Sequence, residues 1–351
     1  MDRIVHRRPI GESMSIPAED LVQWYERSKR ELPWRAPGVS AWQILVSEFM
    51  LQQTPVARVS PIWVDWVARW PTPSATAAAG AADVLRAWGK LGYPRRAKRL
   101  HECAVVIAND HGDVVPDDVD TLLGLPGVGA YTARAVACFA YRKRVPVVDT
   151  NVRRVVARAI GGQADAGSPS TVRDHAEVAA LLPNDALAAG FSAALMELGA
   201  TVCTARAPKC GICPLTACAW RDAGCPVSDG PPRPTQRYAG TDRQVRGKLL
   251  DVLRASSVPV PRTHLDVVWL TDTAQRDRAL DSLLVDGLVE QTADGRFALA
   301  GEGDDARPQG ARRSRADTPE GDDARPQGAR RSRADTPEGD DARPQGARRW
   351  T

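Results

Sequence analysis

Four cysteines crowd one short segment of the chain: Cys203, Cys210, Cys213 and Cys218, spaced C-x6-C-x2-C-x4-C. Four thiolates this close can wrap one metal centre, and the chain must then close around it. Zinc accepts four cysteines, usually from two C-x2-C knuckles, whereas a single loop with uneven spacing suits a bulkier [4Fe–4S] cube. Cys225 is a fifth cysteine nearby, while Cys103 and Cys138 sit in apolar helical stretches and read as core residues. Such clustering favours metal binding over a disulfide framework.

From about residue 18 to 202, apolar residues recur at three- and four-residue spacings. Breaks come at Pro33, Pro71, Gly92, Pro116, Pro126, Pro146 and Pro183. This pattern predicts an all-α core of many short helices. A proline-rich linker is expected at 229–240. Residues 241–299 read as two amphipathic helices, at 244–255 and 274–286, and a hairpin turning at Asp294-Gly295. That order predicts a small winged-helix-like unit or a packing domain without its own ligand. Three prolines, Pro231, Pro232 and Pro234, would hold it at a fixed distance, with Arg296 free to reach nucleic acid. Residues 303–320 are copied at 321–338, and a third copy breaks off after Arg349. Each copy lacks large aliphatics, so 300–351 is expected to be a disordered tail. Met14 reads as a natural start, leaving 1–13 as a disordered extension.

The formal charge is only +4, which does not announce a nucleic-acid partner. Basic clusters stand at Arg95-Arg96 with Lys98-Arg99, at Arg142-Lys143-Arg144, and at Arg153-Arg154 with Arg158. Each alone reads as a solvated helix face. No run is long and apolar enough to span a bilayer, and the N-terminus lacks the apolar stretch of a secretory signal. A cytoplasmic protein with no membrane partner is expected.

Leu125-Pro126-Gly127-Val128-Gly129 joins two predicted helices, and Tyr131-Thr132-Ala133 opens the second. Glycines permit a tight turn, and freed amides at a helix N-terminus suit a phosphate oxygen. Glu48 lies on a predicted helix among Ile44, Leu45, Leu51 and Gln52. Desolvation there would raise its pKa toward that of a general acid, although a partly exposed Glu or an ion pair is the commoner outcome. Asp149 precedes Thr150-Asn151-Val152 where a helix begins, which would favour its ionised form or make it a plain N-cap.

Together these strings resemble the helix-hairpin-helix, Gly/Pro–Asp superfamily of DNA glycosylases, and most closely the A/G-specific adenine glycosylase (MutY) family. The resemblance runs from about Leu21 to Cys218. It rests also on Leu32-Pro33-Trp34-Arg35, on Ser47-Glu48-Phe49-Met50-Leu51-Gln52-Gln53-Thr54, on Leu91-Gly92-Tyr93, and on Val145-Pro146 with Asp149. It implies a six-helix domain at 34–143 and an iron–sulfur cluster domain built from 14–33 and 144–228. Duplex DNA with an A:8-oxoguanine or A:G mispair would lie across the cleft between them, bound by a monomer. The resemblance also implies roles. Glu48 would protonate adenine N7, and Asp149 would face the oxocarbenium-like sugar. Asn151 would support Asp149, and Tyr131 would line the sugar side. Trp34, Arg35, Leu51 and Glu197 match the adenine pocket. Gln53, Thr54, Leu91 and Tyr93 match residues that enter the stack around the opposite guanine. Gly127 and Gly129 would meet the DNA backbone, and Cys203, Cys210, Cys213 and Cys218 would hold the [4Fe–4S] cluster.

Tyr131 stands where endonuclease III-like relatives carry the lysine that forms a Schiff base, so a monofunctional glycosylase is expected. The cysteine loop is one residue shorter before Cys218 than the family's usual C-x5-C, which makes Cys225 the rival fourth ligand. No Nudix-related pattern is found in 241–299. The alternatives are an endonuclease III-like glycosylase and lyase for oxidised pyrimidines, and a non-catalytic iron–sulfur DNA-binding regulator.

Overall fold

Described residues of the computed structural model are 16–227 and 238–303. The extension expected at 1–13, most of the linker at 229–240 and the repeat tail beyond 303 lie outside them. Helix α1 (Ala18–Ser28) comes first, followed by a 3-10 turn at Pro33–Arg35. Ser40 then starts α2 (Ala41–Leu51) with a reciprocal cap. Its hydroxyl accepts from the Gln43 amide at 3.3 Å, and its own amide donates to Gln43 Oε1 at 2.9 Å. Six helices follow: α3 (Val56–Arg69), α4 (Pro73–Ala77), α5 (Ala81–Trp88), α6 (Arg95–Asp110), α7 (Val119–Leu123) and α8 (Ala130–Tyr141).

Helices α2 to α8 pack round one apolar core, so the described residues show seven helices in 34–143, two of them only five residues long. Trp66 meets Trp70 and Trp88 edge-on at 4.8 and 6.0 Å, and truncating a ring this well packed would cost about 3–5 kcal/mol. Helix α2 is buried on most sides, by Trp42, Leu45, Val46, Phe49 and Met50. That burial carries Glu48 inward with it.

A second core forms from α9 (Thr150–Ala159), α10 (Thr171–Leu181), α11 (Asp185–Thr201) and α12 (Ala219–Asp222). Helix α1 returns to this core, packing Leu21 and Tyr25 on α11. A small apolar seam of Ala135, Cys138, Val147 and Ala189 joins the two bodies.

Residues 238–303 supply α13 (Asp242–Arg254), α14 (Arg262–Asp266), α15 (Thr273–Val285) and a hairpin of β1 (Val289–Gln291) and β2 (Phe297–Leu299). The hairpin is antiparallel with Val289 opposite Leu299, and Val260 adds a bridge to Phe297. This is a winged-helix-like order of elements. Its placement corrects the expectation of a unit held at a distance. Val245, Leu249, Leu253 and Leu299 belong to the same apolar cluster as Leu85 and Trp88. Arg254 Nε donates to the Leu85 carbonyl at 3.0 Å, and Arg86 pairs with Glu302 at 2.6 Å. Burial of apolar surface against α5, rather than the stiffness of prolines, holds the unit. No described helix is long and apolar enough to cross a membrane.

Candidate active site

The cleft between the two helical bodies collects side chains that are far apart in sequence. Glu48 enters it from α2, Tyr131 from the first turn of α8, and Asp149 with Asn151 from the start of α9. Glu48 is 7% exposed. Burial lifts its carboxyl to about 7; the charge of Asp149 adds to the rise, while the Tyr131 hydroxyl and Arg35 oppose it. The carboxyl thus exchanges a proton near neutral pH. Burial and the charges of Glu48 and Asp149 push the Tyr131 phenol well above its usual range, so it remains a protonated hydroxyl beside Glu48.

Asp149 caps α9, accepting from the Val152 amide at 2.7 Å and from Asn151 Nδ2 at 2.8 Å. A helix N-terminus alone would lower its pKa. Burial outweighs it and the pKa is raised, although the Val152 amide, Asn151 and Arg154 pull downward. The expected division into one raised and one lowered acid is therefore corrected. Both rise, and they differ in how many donors resist the rise. Arg154 donates to Asn151 Oδ1 at 2.7 Å and to the Cys203 carbonyl at 2.8 Å.

Trp34, Arg35 and Leu51 line the cleft beside Glu48, and Trp34 packs edge-on against Trp63 at 5.9 Å. Glu197 does not line it. Its buried carboxylate sits behind two arginines: Arg30 binds it with Nε at 2.7 Å and Nη2 at 3.0 Å, and Arg35 at 3.0 Å. Burial would raise this acid, but the arginines win and it is lowered. Its place is to fix Arg30 and Arg35, and Arg30 is a cleft residue that sequence reasoning missed.

The four residues expected in the DNA stack divide into two kinds. Leu91 is 3% exposed and Thr54 5%, although Thr54 still lines the cleft. They are interior anchors: the Thr54 hydroxyl donates to the Leu91 carbonyl at 3.3 Å. Gln53 is exposed and Tyr93 is 38% exposed. Both have positive φ, +56° and +47°, a strained state for non-glycine residues that concentrates at functional sites. Arg96 stitches their turns together, donating to the carbonyls of Phe49, Met50, Gln52 and Gly92 and to the Thr54 hydroxyl, all within 2.6–3.0 Å. It was also missed, having read only as part of a solvated basic face.

Gly127 has φ +77°, and a Cβ there would stand 2.7 Å from Arg99 Cβ and 2.9 Å from Phe49 Cε1. Gly129 begins α8 and faces open space. The hairpin therefore needs glycine for packing at one position and presents a free helix start at the other.

Cys203, Cys210, Cys213 and Cys218 line one cavity with Leu198 and Trp220. Cys225 is exposed and does not line it. Tetrahedral zinc would draw four sulfurs to roughly 3.8 Å of one another, given Zn–S near 2.3 Å. Among the described residues no three His, Cys, Asp or Glu side chains converge as on a single ion. Four thiols lining one cavity are the donor set that a [4Fe–4S] cluster takes. Buried Arg158 backs it, reaching Cys203 Sγ at 3.5 Å and stacking on Trp220 at 4.8 Å.

Comparison with known proteins agrees with this geometry. Residues 46–179 match the family of HhH-GPD superfamily base excision DNA repair proteins, and 203–217 match the iron-sulfur binding domain of endonuclease III. The chain is 76% identical over 303 residues to the adenine DNA glycosylase of Mycobacterium tuberculosis, covering 86% of this chain and 100% of that protein. The chain belongs to the adenine DNA glycosylase family. This glycosylase is also 75% identical over 295 residues to the Mycolicibacterium smegmatis family member, covering 84% of this chain and 100% of the relative. A thermostable thymine-DNA glycosylase superposes with a TM-score of 0.53 at 27% identity, covering 59% of this chain and 95% of that one. The enzyme hydrolyses the N-glycosidic bond of adenine in DNA, acts in base excision repair, and carries a [4Fe–4S] cluster.

Proposed function

We propose that the glycosylase removes adenine paired with 8-oxoguanine or guanine, by a monofunctional route, acting as a monomer in the cytoplasm. One observation carries the chemistry: Glu48, lifted to about 7, shares one cleft with Asp149, while the position beside it holds a hydroxyl and no amine. With adenine flipped into the cleft, Glu48 gives its proton to N7. The C1′–N9 bond then breaks, its electron pair leaving with adenine. Asp149 stabilises the positive sugar that remains, and water adds to C1′ as its proton passes to the carboxylate left on Glu48. Asn151 orients Asp149, and Tyr131 holds Glu48 toward the base. Trp34, Arg30, Arg35 and Leu51 wall the base pocket.

Gln53 and Tyr93, strained at the rim, meet the base opposite adenine. Gly127 and Gly129 give phosphates a place at the start of α8. Cys203, Cys210, Cys213 and Cys218 would hold the cluster, which would then fasten the loop beside α9 and α11.

Single-turnover adenine release from A:8-oxoguanine, A:G, A:C and thymine-glycol duplexes tests the reading. Fast abasic-site formation on the first two without strand cleavage is expected. Strand cleavage at the glycosylase rate, or preference for thymine glycol, would point to the lyase alternative.

A further inference from the structure

The C-terminal unit reaches Tyr93 through Arg243. Arg243, in the first turn of α13, donates from Nη1 to the Tyr93 hydroxyl at 2.7 Å. Its guanidinium also lies 5.5 Å from the Tyr93 ring centroid and 5.4 Å from that of Tyr238. A planar cation between two rings, with one donor engaged, is fixed in orientation and keeps other donors free.

The helix that carries Arg243 is itself held. Asp286, at the end of α15 and almost wholly buried, binds Arg246 of α13 at 2.5 Å and also Arg95 of α6. Lys98 of α6 donates to the Asp286 carbonyl at 3.1 Å. The ion triad therefore clamps α13 to the start of α6, two residues beyond Tyr93. The wing is a poor candidate for the same task, since Arg296 is paired with Asp294 at 3.1 Å. Residues 238–303 carry ten acidic and eight basic side chains, so the unit offers no general attraction for phosphate.

We propose that Arg243 is a positioning residue for reading the base opposite adenine: it braces Tyr93 in its strained conformation, and through it the C-terminal unit sets the choice between 8-oxoguanine and guanine. This rests on the reading that Tyr93 meets the opposite base. Tyr93 has φ +47° and is partly exposed, so its ring needs outside support to keep one direction. Arg96 supports it from the six-helix side, with its guanidinium 5.5 Å from the ring centroid. Arg243 supplies the only hydrogen bond to its hydroxyl found among the described residues.

The test measures affinity of the full-length, cluster-loaded protein for duplexes carrying 2′-fluoro-adenine, which resists cleavage, opposite 8-oxoguanine or guanine. Wild type is expected to favour 8-oxoguanine at least roughly tenfold. Arg243→Gln and Tyr93→Phe should each reduce that preference about fivefold, the scale of one ordinary net hydrogen bond. Arg243→Lys should recover part of it. In the Tyr93→Phe background Arg243→Gln should add less than about twofold, because both remove one contact. Multiplying effects would overturn the proposal. So would equal weakening of both duplexes with a shallower salt slope, which marks a phosphate contact. If Tyr93→Ala abolishes the preference while Arg243→Gln and Tyr93→Phe leave it within about twofold of wild type, the inference fails and the reading of Tyr93 stands. If wild type shows no preference, or Tyr93→Ala preserves it, the reading itself falls.

Discussion

Asn151 gives its side-chain amide to Asp149 across 2.8 Å, and its carbonyl oxygen accepts from Arg154 at 2.7 Å. The second bond settles which way the amide points, so the donor faces the acid. Arg154 also reaches the Gly199 carbonyl at 2.7 Å, tying the start of α9 to α11 where the helices run closest.

That close approach depends on glycine. A Cβ at Gly199 would stand 2.6 Å from Asn151 Cβ and 2.9 Å from its backbone oxygen. Gly199→Ala must push Asn151 away from Asp149. We expect a loss of about 1–3 kcal/mol in stability and at least a roughly tenfold fall in single-turnover adenine release, since the acid loses its orienting donor. Thermal melting and rapid-quench assays check both.

Glu48→Gln should abolish adenine release while DNA binding survives, because a positioned acid contributes about 10²–10⁴ in rate. The wild-type rate should fall as pH rises through about 7, where Glu48 loses its proton. Stability moves with the same group. The unfolded carboxyl ionises above about 4.5 and the folded one above about 7, so folding at pH 8 must desolvate a charge that is absent at pH 4. Glu48→Gln is therefore expected to stabilise the protein at pH 8, by on the order of 3 kcal/mol, with the gain vanishing as pH falls below 4.5. Equal melting shifts at both pH values would refute the burial account.

Cys218→Ser should lose iron and brown colour, and Cys225→Ser should keep them, because Cys218 lines the thiol cavity and Cys225 lies outside it. Iron analysis of protein purified without air checks this; the opposite pattern would reassign the fourth ligand.

Borohydride should not trap the wild type on DNA, since the group facing Glu48 is a phenol. Tyr131→Lys should gain trapping and some strand cleavage, as an amine beside Glu48 and Asp149 can attack C1′. Gel analysis of covalent complexes reads the outcome directly.

Much of the candidate site was legible because it lies on local signals. Gly127 and Gly129 mark the hairpin, and Asp149 marks the start of α9. What escaped was set by contacts between distant segments. Arg96 looked like a solvated charge and Arg30 carried no local signal, yet Arg30 pairs with a carboxylate 167 positions away and Arg96 gathers the carbonyls at the end of α2. Leu91 and Thr54 resembled residues aimed at DNA, but local sequence does not reveal how deep a turn sits. Helical periodicity likewise identified α13 without showing that its apolar face would meet α5.

That shared apolar face bears on how the molecule comes apart. Cutting the chain after the cysteine loop would uncover Leu85 and its neighbours on α5 and leave Arg95 and Lys98 without Asp286. The first 227 residues alone are thus a damaged body rather than an enzyme lacking an accessory. In hydrogen exchange, the amides of α5 and α13 should open together as one cooperative block.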